Sequence, residues 1–84
     1  MRIYMQTPVS GAENMRFYHL MLQSDLLGGW LLVREWGYQG SSGRVKKNHY
    51  RGLDQAQEAL FKARDQQLKR GYRVVFMAGD DPHG

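Results

Sequence analysis

Short apolar runs separated by glycine- and polar-rich stretches mark the chain, the strongest being residues 29–36, GWLLVREW, which reads as a strand. Alternation there places Trp30, Leu32, Arg34 and Trp36 on one face of a strand, and Leu31, Val33 and Glu35 on the other. RIYMQT at 2–7 and MRFYHLML at 15–22 read as two further strands, the first ended by Pro8 and the loop VSGAEN. GYQGSSG at 37–43 holds three glycines and predicts a turn. RVKKNHY at 44–50 then returns as a partner strand, so residues 29–50 predict a hairpin with a glycine-rich tip.

The period changes after residue 50. Leu53, Ala56, Leu60 and Ala63 fall at helical spacing, with Ala59, Phe61 and Leu68 widening the stripe. Asp54 is the expected N-cap, Gln57 completes a capping-box pattern, and Gly71 is the expected stop after Lys69 and Arg70. YRVVFM at 72–77 predicts a last strand. The order β-β-β-β-α-β predicts an α+β fold, an antiparallel sheet of about 4–5 strands with one helix packed on one face. A single helix leaves part of the other face open to solvent or a ligand. Phe17, Tyr18, Leu20, Leu22 and the helix stripe form the expected core. Lys62, Arg64, Lys69 and Arg70 are expected on a solvated outer face or paired with Asp65 and Glu58. Residues 1–78 are expected to form one domain and 79–84 a flexible tail.

Composition narrows the function. A chain of 84 residues has no room for a deep cleft between two lobes. The absence of cysteine excludes disulfides and thiolate metal sites. No apolar run has the length of a signal peptide core or a membrane span, so a cytoplasmic setting with no membrane partner is expected. The net charge of +4 is local: Arg44, Lys46, Lys47 and Arg51 account for it, since the other eight cations equal the eight acids. A neutral body with one basic segment points to an anionic partner, although lysine also protects sheet edges.

Catalytic chemistry is not expected. His19, His49 and His83 lie on different elements without metal-ligand spacing, and Asp80 and Asp81 are adjacent acids in the tail. Ser41 and Ser42 have no base at a recognisable distance, and the glycines around them depart from the phosphate-loop pattern. The sequence predicts a non-enzyme with no metal and no cofactor.

Trp36-Gly37 closes a hydrophobic strand, Gly40 lies three residues beyond that glycine, and a basic strand follows. RFYHL stands upstream, and the helix ends in KRGY at 69–72. Over roughly residues 15–76 this run resembles the WGR domain, named for its Trp-Gly-Arg motif. That domain accompanies the catalytic part of DNA-damage-dependent poly(ADP-ribose) polymerases and also occurs in small bacterial proteins, and the length here is similar to the bacterial stand-alone kind. The resemblance implies a fold of antiparallel sheet plus one helix. It also implies contact with DNA, the motif tryptophan lying against the backbone sugar at a strand end. The motif arginine supports that contact and the coupling to neighbouring domains. Trp36 and Gly37 match the first two motif positions, whereas Tyr38 stands where arginine is expected. Tyrosine keeps a stackable ring and a hydroxyl but lacks the fixed charge and five-donor fork.

The expected function is a module that contacts DNA, or RNA, through the basic hairpin with little sequence specificity. Arg44, Lys46, Lys47 and Arg51 would neutralise phosphates, while Trp36 and Tyr38 would stack on a sugar or unpaired base beside Gly37 and Arg34. The alternative is a protein–protein interaction module using the exposed aromatic hairpin face. Trp30 is expected to be structural, and Trp36 to be offered to a partner or packed at the rim over Tyr38 or Tyr50. Register decides whether Arg44, Lys46 and Asn48, or Val45, Lys47 and His49, share the face of Trp36.

Overall fold

The computed structural model of the chain describes residues 1–8 and 14–79. Five strands and one helix follow in the order β1 (Arg2–Gln6), β2 (Arg16–Ser24), β3 (Trp30–Tyr38), β4 (Arg44–Tyr50), α1 (Leu53–Lys69) and β5 (Arg73–Ala78). They form one antiparallel sheet of strand order β4-β3-β2-β1-β5 with a single helix, the expected α+β architecture. The helix carries the chain back across the sheet, so that β5 pairs with β1 at the far edge.

Alternation builds the core. Ile3 lies opposite Leu20 and Met5 opposite Tyr18, while Leu22 lies opposite Leu32, all on the helix side. These six close against Ala56, Leu60 and Ala63 of α1, where the two alanines allow close approach to the sheet and Leu60 fills the space between. Phe17 departs from its expected core place. As the neighbour of Tyr18 it points to the opposite face, half-buried and stacked on Tyr4 with ring centroids 6.2 Å apart.

The hairpin is longer than its composition predicts. Residues 37 and 38 continue β3, because Gly37 pairs with Phe17 and Tyr38 with Arg16 on β2. The turn shrinks to residues 39–43, where Gly40 adopts φ +84 and the Ser41 hydroxyl donates to the Tyr38 carbonyl at 2.8 Å.

The helix ends also differ from expectation. Gly52, not Asp54, is the N-cap, and no side chain caps the first turn. Asp54 sits inside that turn, where its carboxylate still favours the positive end of the helix dipole. At the other end the Arg70 and Tyr72 amides both donate to the Gln67 carbonyl at 3.0 Å, and Gly71 takes φ +97. Leu68 is 44% exposed, whereas Gln67 is 4% exposed. The periodicity explains the exchange: Ala56, Leu60, Ala63 and Gln67 lie on one helical stripe, and Leu68 falls outside it.

The helix packs on β2, β3 and β4. β5 extends beyond it, and the molecule measures 45 Å along its longest axis. Of the expected loop and tail, residues 9–13 and 80–84 lie outside the described residues.

Candidate nucleic-acid interface

Register settles which residues share the face of Trp36. On that face Trp36 pairs with Tyr18 of β2 and Arg44 of β4, Arg34 with Leu20 and Lys46, and Tyr38 with Arg16. Arg44, Lys46 and Asn48 therefore stand on the helix side with Trp36, and Val45, Lys47 and His49 on the open face. Between these strands and the last turns of α1 opens a groove of about 520 Å³.

Four cations line it: Arg16, Arg34, Lys46 and Arg70. No carboxylate does, among the described residues. The Arg34 Nε is buried without a hydrogen-bond acceptor, as is the Oδ1 of Asn48 without a donor. A buried polar atom in this condition costs about 1–3 kcal/mol, which an incoming partner can recover. The helix C-terminus would ordinarily repel an anion here. The Gln67 carbonyl is already occupied by two amides, and the surrounding cations outweigh what remains of the negative end.

The aromatic wall is continuous. Trp36 stacks on Tyr18 with centroids 5.7 Å apart and planes 14° apart, and Tyr72 meets Tyr18 edge-on at 5.9 Å. Trp36 thus packs over Tyr18, and not over Tyr38 or Tyr50 as its sequence position suggests. Both tryptophans are half-buried against the core, Trp30 near the start of β3 and Trp36 near its end. Trp36 is structural and at the same time part of the groove.

Across the ladder from Tyr38, the Arg16 guanidinium lies 5.2 Å from the ring centroid and its Nη2 donates to the Tyr38 hydroxyl at 3.3 Å. A planar, five-donor cation therefore stands one strand away from the position where the Trp-Gly-Arg motif carries one.

The family model for the WGR domain matches residues 1–77. The chain belongs to the WGR domain family. It is also similar to "Uncharacterized protein y4dW" of Sinorhizobium fredii (strain NBRC 101917 / NGR234), 28% identical over 72 residues. That match covers 86% of this chain and 35% of y4dW, so the chain spans about a third of that relative's length. No solved structure matches the chain.

Within the WGR framework the expected site residues divide. Trp36, Gly37, Tyr38, Arg34 and Lys46 converge on the groove. Arg44 shares their face, opposite Trp36, without lining it. Lys47 lies on the other face of the sheet, and Arg51 borders the start of α1 beside Gly52 and Leu53. The four cations expected to act as one patch are thus spread over two faces and both ends of the domain. Arg16 and Arg70, which complete the groove, carry no sequence signal of that role. Arg16 becomes visible only through the β2–β3 register, and Arg70, expected on the outer face, only through the path of the helix end.

The remaining polar candidates have structural partners. His49 Nε2 lies 3.0 Å from Asp25 Oδ2 and 3.2 Å from the Gly28 carbonyl, holding the β2–β3 turn. His19 stands on the open face, edge-on to Tyr4 at 5.3 Å. Burial lowers its pKa below the usual 6.5, the nearby Arg2 charge adds to that, and Glu35 opposes it. Among the described residues no cluster of three or more His, Asp or Glu could hold a metal ion, and no helix is long and apolar enough to cross a membrane. His83, Asp80 and Asp81 lie outside the described residues.

Proposed function

We propose that this WGR domain binds nucleic acid in the groove between the inner face of β2–β4 and the end of α1. It holds the sugar–phosphate backbone at or near a strand end with little regard to base sequence. The observation that carries the reading is the convergence of Arg16, Arg34, Lys46 and Arg70 on an aromatic-walled groove that no described carboxylate lines. The unpartnered Nε of Arg34 supports it, since phosphate oxygens are strong acceptors for guanidinium donors. Arg16, held over Tyr38, takes the place of the missing motif arginine. Contacts from cations to phosphate position a strand without reading its bases, while the ring of Trp36 offers a stack worth about 1–3 kcal/mol.

Intrinsic tryptophan fluorescence during titration with short single-stranded and blunt duplex DNA, at several salt concentrations, tests this. Saturable quenching that weakens with salt is expected, with a log–log slope of about −3 to −4 if all four cations reach phosphates. Arg16→Ala and Lys46→Ala should each flatten the slope by about one unit, and Lys47→Ala should leave it unchanged. Absence of quenching with either DNA would overturn the reading. Binding indifferent to salt would instead favour a protein partner at the aromatic hairpin, where Tyr38 is exposed.

A further inference from the structure

The outermost strand, β5, has the sequence RVVFMA and pairs only with β1. Val74, Val75, Phe76 and Met77 are 41, 59, 54 and 50% exposed, so four consecutive large apolar side chains face water. Sheet edges in soluble proteins are ordinarily protected by lysine, by proline, by an irregular backbone or by a covering element. Of these devices β5 has only one bulge, which leaves Val75 without a partner on β1; the helix lies over β2–β4, and the sole charge is Arg73 at the strand's start. Register places Met77 beside Ile3 and Val74 beside Met5, so the apolar floor of the core runs out to this open edge. Among the described residues nothing of the chain covers it.

We propose that a second copy of the chain does: two molecules join along β5, antiparallel about a two-fold axis, to form one ten-stranded sheet. The surface is separate from the groove, and the inference does not rest on nucleic-acid binding. Three features select a second copy over other occupants. An antiparallel match of RVVFMA with itself sets apolar residues against apolar residues and puts each Arg73 near the partner's Ala78, at opposite ends of the joint. The other edge, β4, cannot take β5, because Arg44, Lys46 and Lys47 would have to be stripped of water against valine and phenylalanine. Head-to-tail growth is thereby blocked and the assembly closes at two. Finally, β4 lies four strand spacings from β5, about 19 Å, so the charged edges of two copies stay well apart. That separation exceeds the Debye length of about 8 Å at physiological salt, and the net charge does not oppose association.

Sedimentation equilibrium of the full chain at high salt, over a wide concentration range, reads this directly. The expected mass rises from 9.8 kDa and levels at twice that value. The double variant Val75→Lys, Phe76→Lys should stay at the single-chain mass with an unchanged circular dichroism spectrum. Leu26→Ser with Leu27→Ser, at another exposed apolar site, should still dimerise. A single-chain mass at every concentration, growth beyond two copies, or a dimer that persists with the two lysines would each overturn the proposal. Should the lysine variant unfold, a nitroxide on Val75→Cys, in a chain with no other cysteine, serves instead. Its spectrum should be broadened by the partner's label and sharpen on dilution with unlabelled chain, and a sharp spectrum throughout would also overturn the proposal.

Discussion

Strands β4 and β5 occupy equivalent places, one at each edge of the same sheet, and present opposite chemistry to solvent. β4 carries Arg44, Lys46 and Lys47 and has α1 beside it; β5 carries four exposed apolar residues and no helix. Backbone hydrogen bonding makes the two edges alike, since each leaves a row of amides and carbonyls unpaired. Side chains and the position of one helix make them different. Because α1 sits over β2–β4, the charged edge borders a groove walled by the helix end, while the apolar edge is left open. The domain thus has a polarity across the strands: a cationic, grooved edge and an apolar, open edge.

The largest expected effect comes from erasing that difference. Lys46→Val with Lys47→Val gives the sheet two apolar edges, so association no longer closes. Growth into large assemblies is expected, measured as protein pelleted in a centrifuge as concentration rises. Next is Trp36→Ala, which removes the Tyr18 stack and one groove wall together. A loss of about 3 kcal/mol in urea unfolding is expected, with Trp36→Phe restoring most of it and dimer formation at β5 unaffected. Arg34→Met separates stability from binding at the charged end. Removing the buried, unpartnered Nε should raise unfolding stability by about 1 kcal/mol while DNA affinity falls and the salt slope flattens.

The smallest effect concerns His19, on the open face midway between the edges. Its folded pKa lies below 6.5, so the unfolded chain binds the proton more readily. Stability should be level above about pH 6.5 and decline as pH falls below it, and His19→Gln should flatten that decline in parallel urea titrations. A decline of equal size in the variant would show that other groups carry it.

The elements were largely legible because they depend on local periodicity. GWLLVREW is a short apolar run bounded by glycines and is a strand; Leu53, Ala56, Leu60 and Ala63 recur at helical spacing and lie on a helix. Expectations failed where a neighbour in space competes with a local preference. Asp54 has the right identity for a cap, yet the cap falls two residues earlier, at Gly52. Tyr38 reads as turn, yet the ladder with Arg16 extends the strand through it. Phe17 reads as core, yet it is buried only in part, against Tyr4 on the other face.

The candidate site was legible in half. Trp36, Gly37, Arg34 and Lys46 stand out from motif, alternation and charge, and they converge on the groove. Alternation also separates Lys46 from Lys47, but it cannot say which of the two joins Trp36. A one-residue slip of β4 would exchange them. Arg16 and Arg70 enter the groove through strand pairing and the path of the helix end, across 22 residues of sequence in the case of Arg16 and Tyr38. The sequence by itself determined the elements, their order, the Trp36-Gly37 pair of the WGR motif and the sum of charge, because these depend on neighbours along the chain. Only the tertiary structure decided that four cations meet at Trp36 and that the apolar strand β5 lies at an edge. Register, strand order and helix position come from contacts between residues far apart in sequence, which no local pattern specifies.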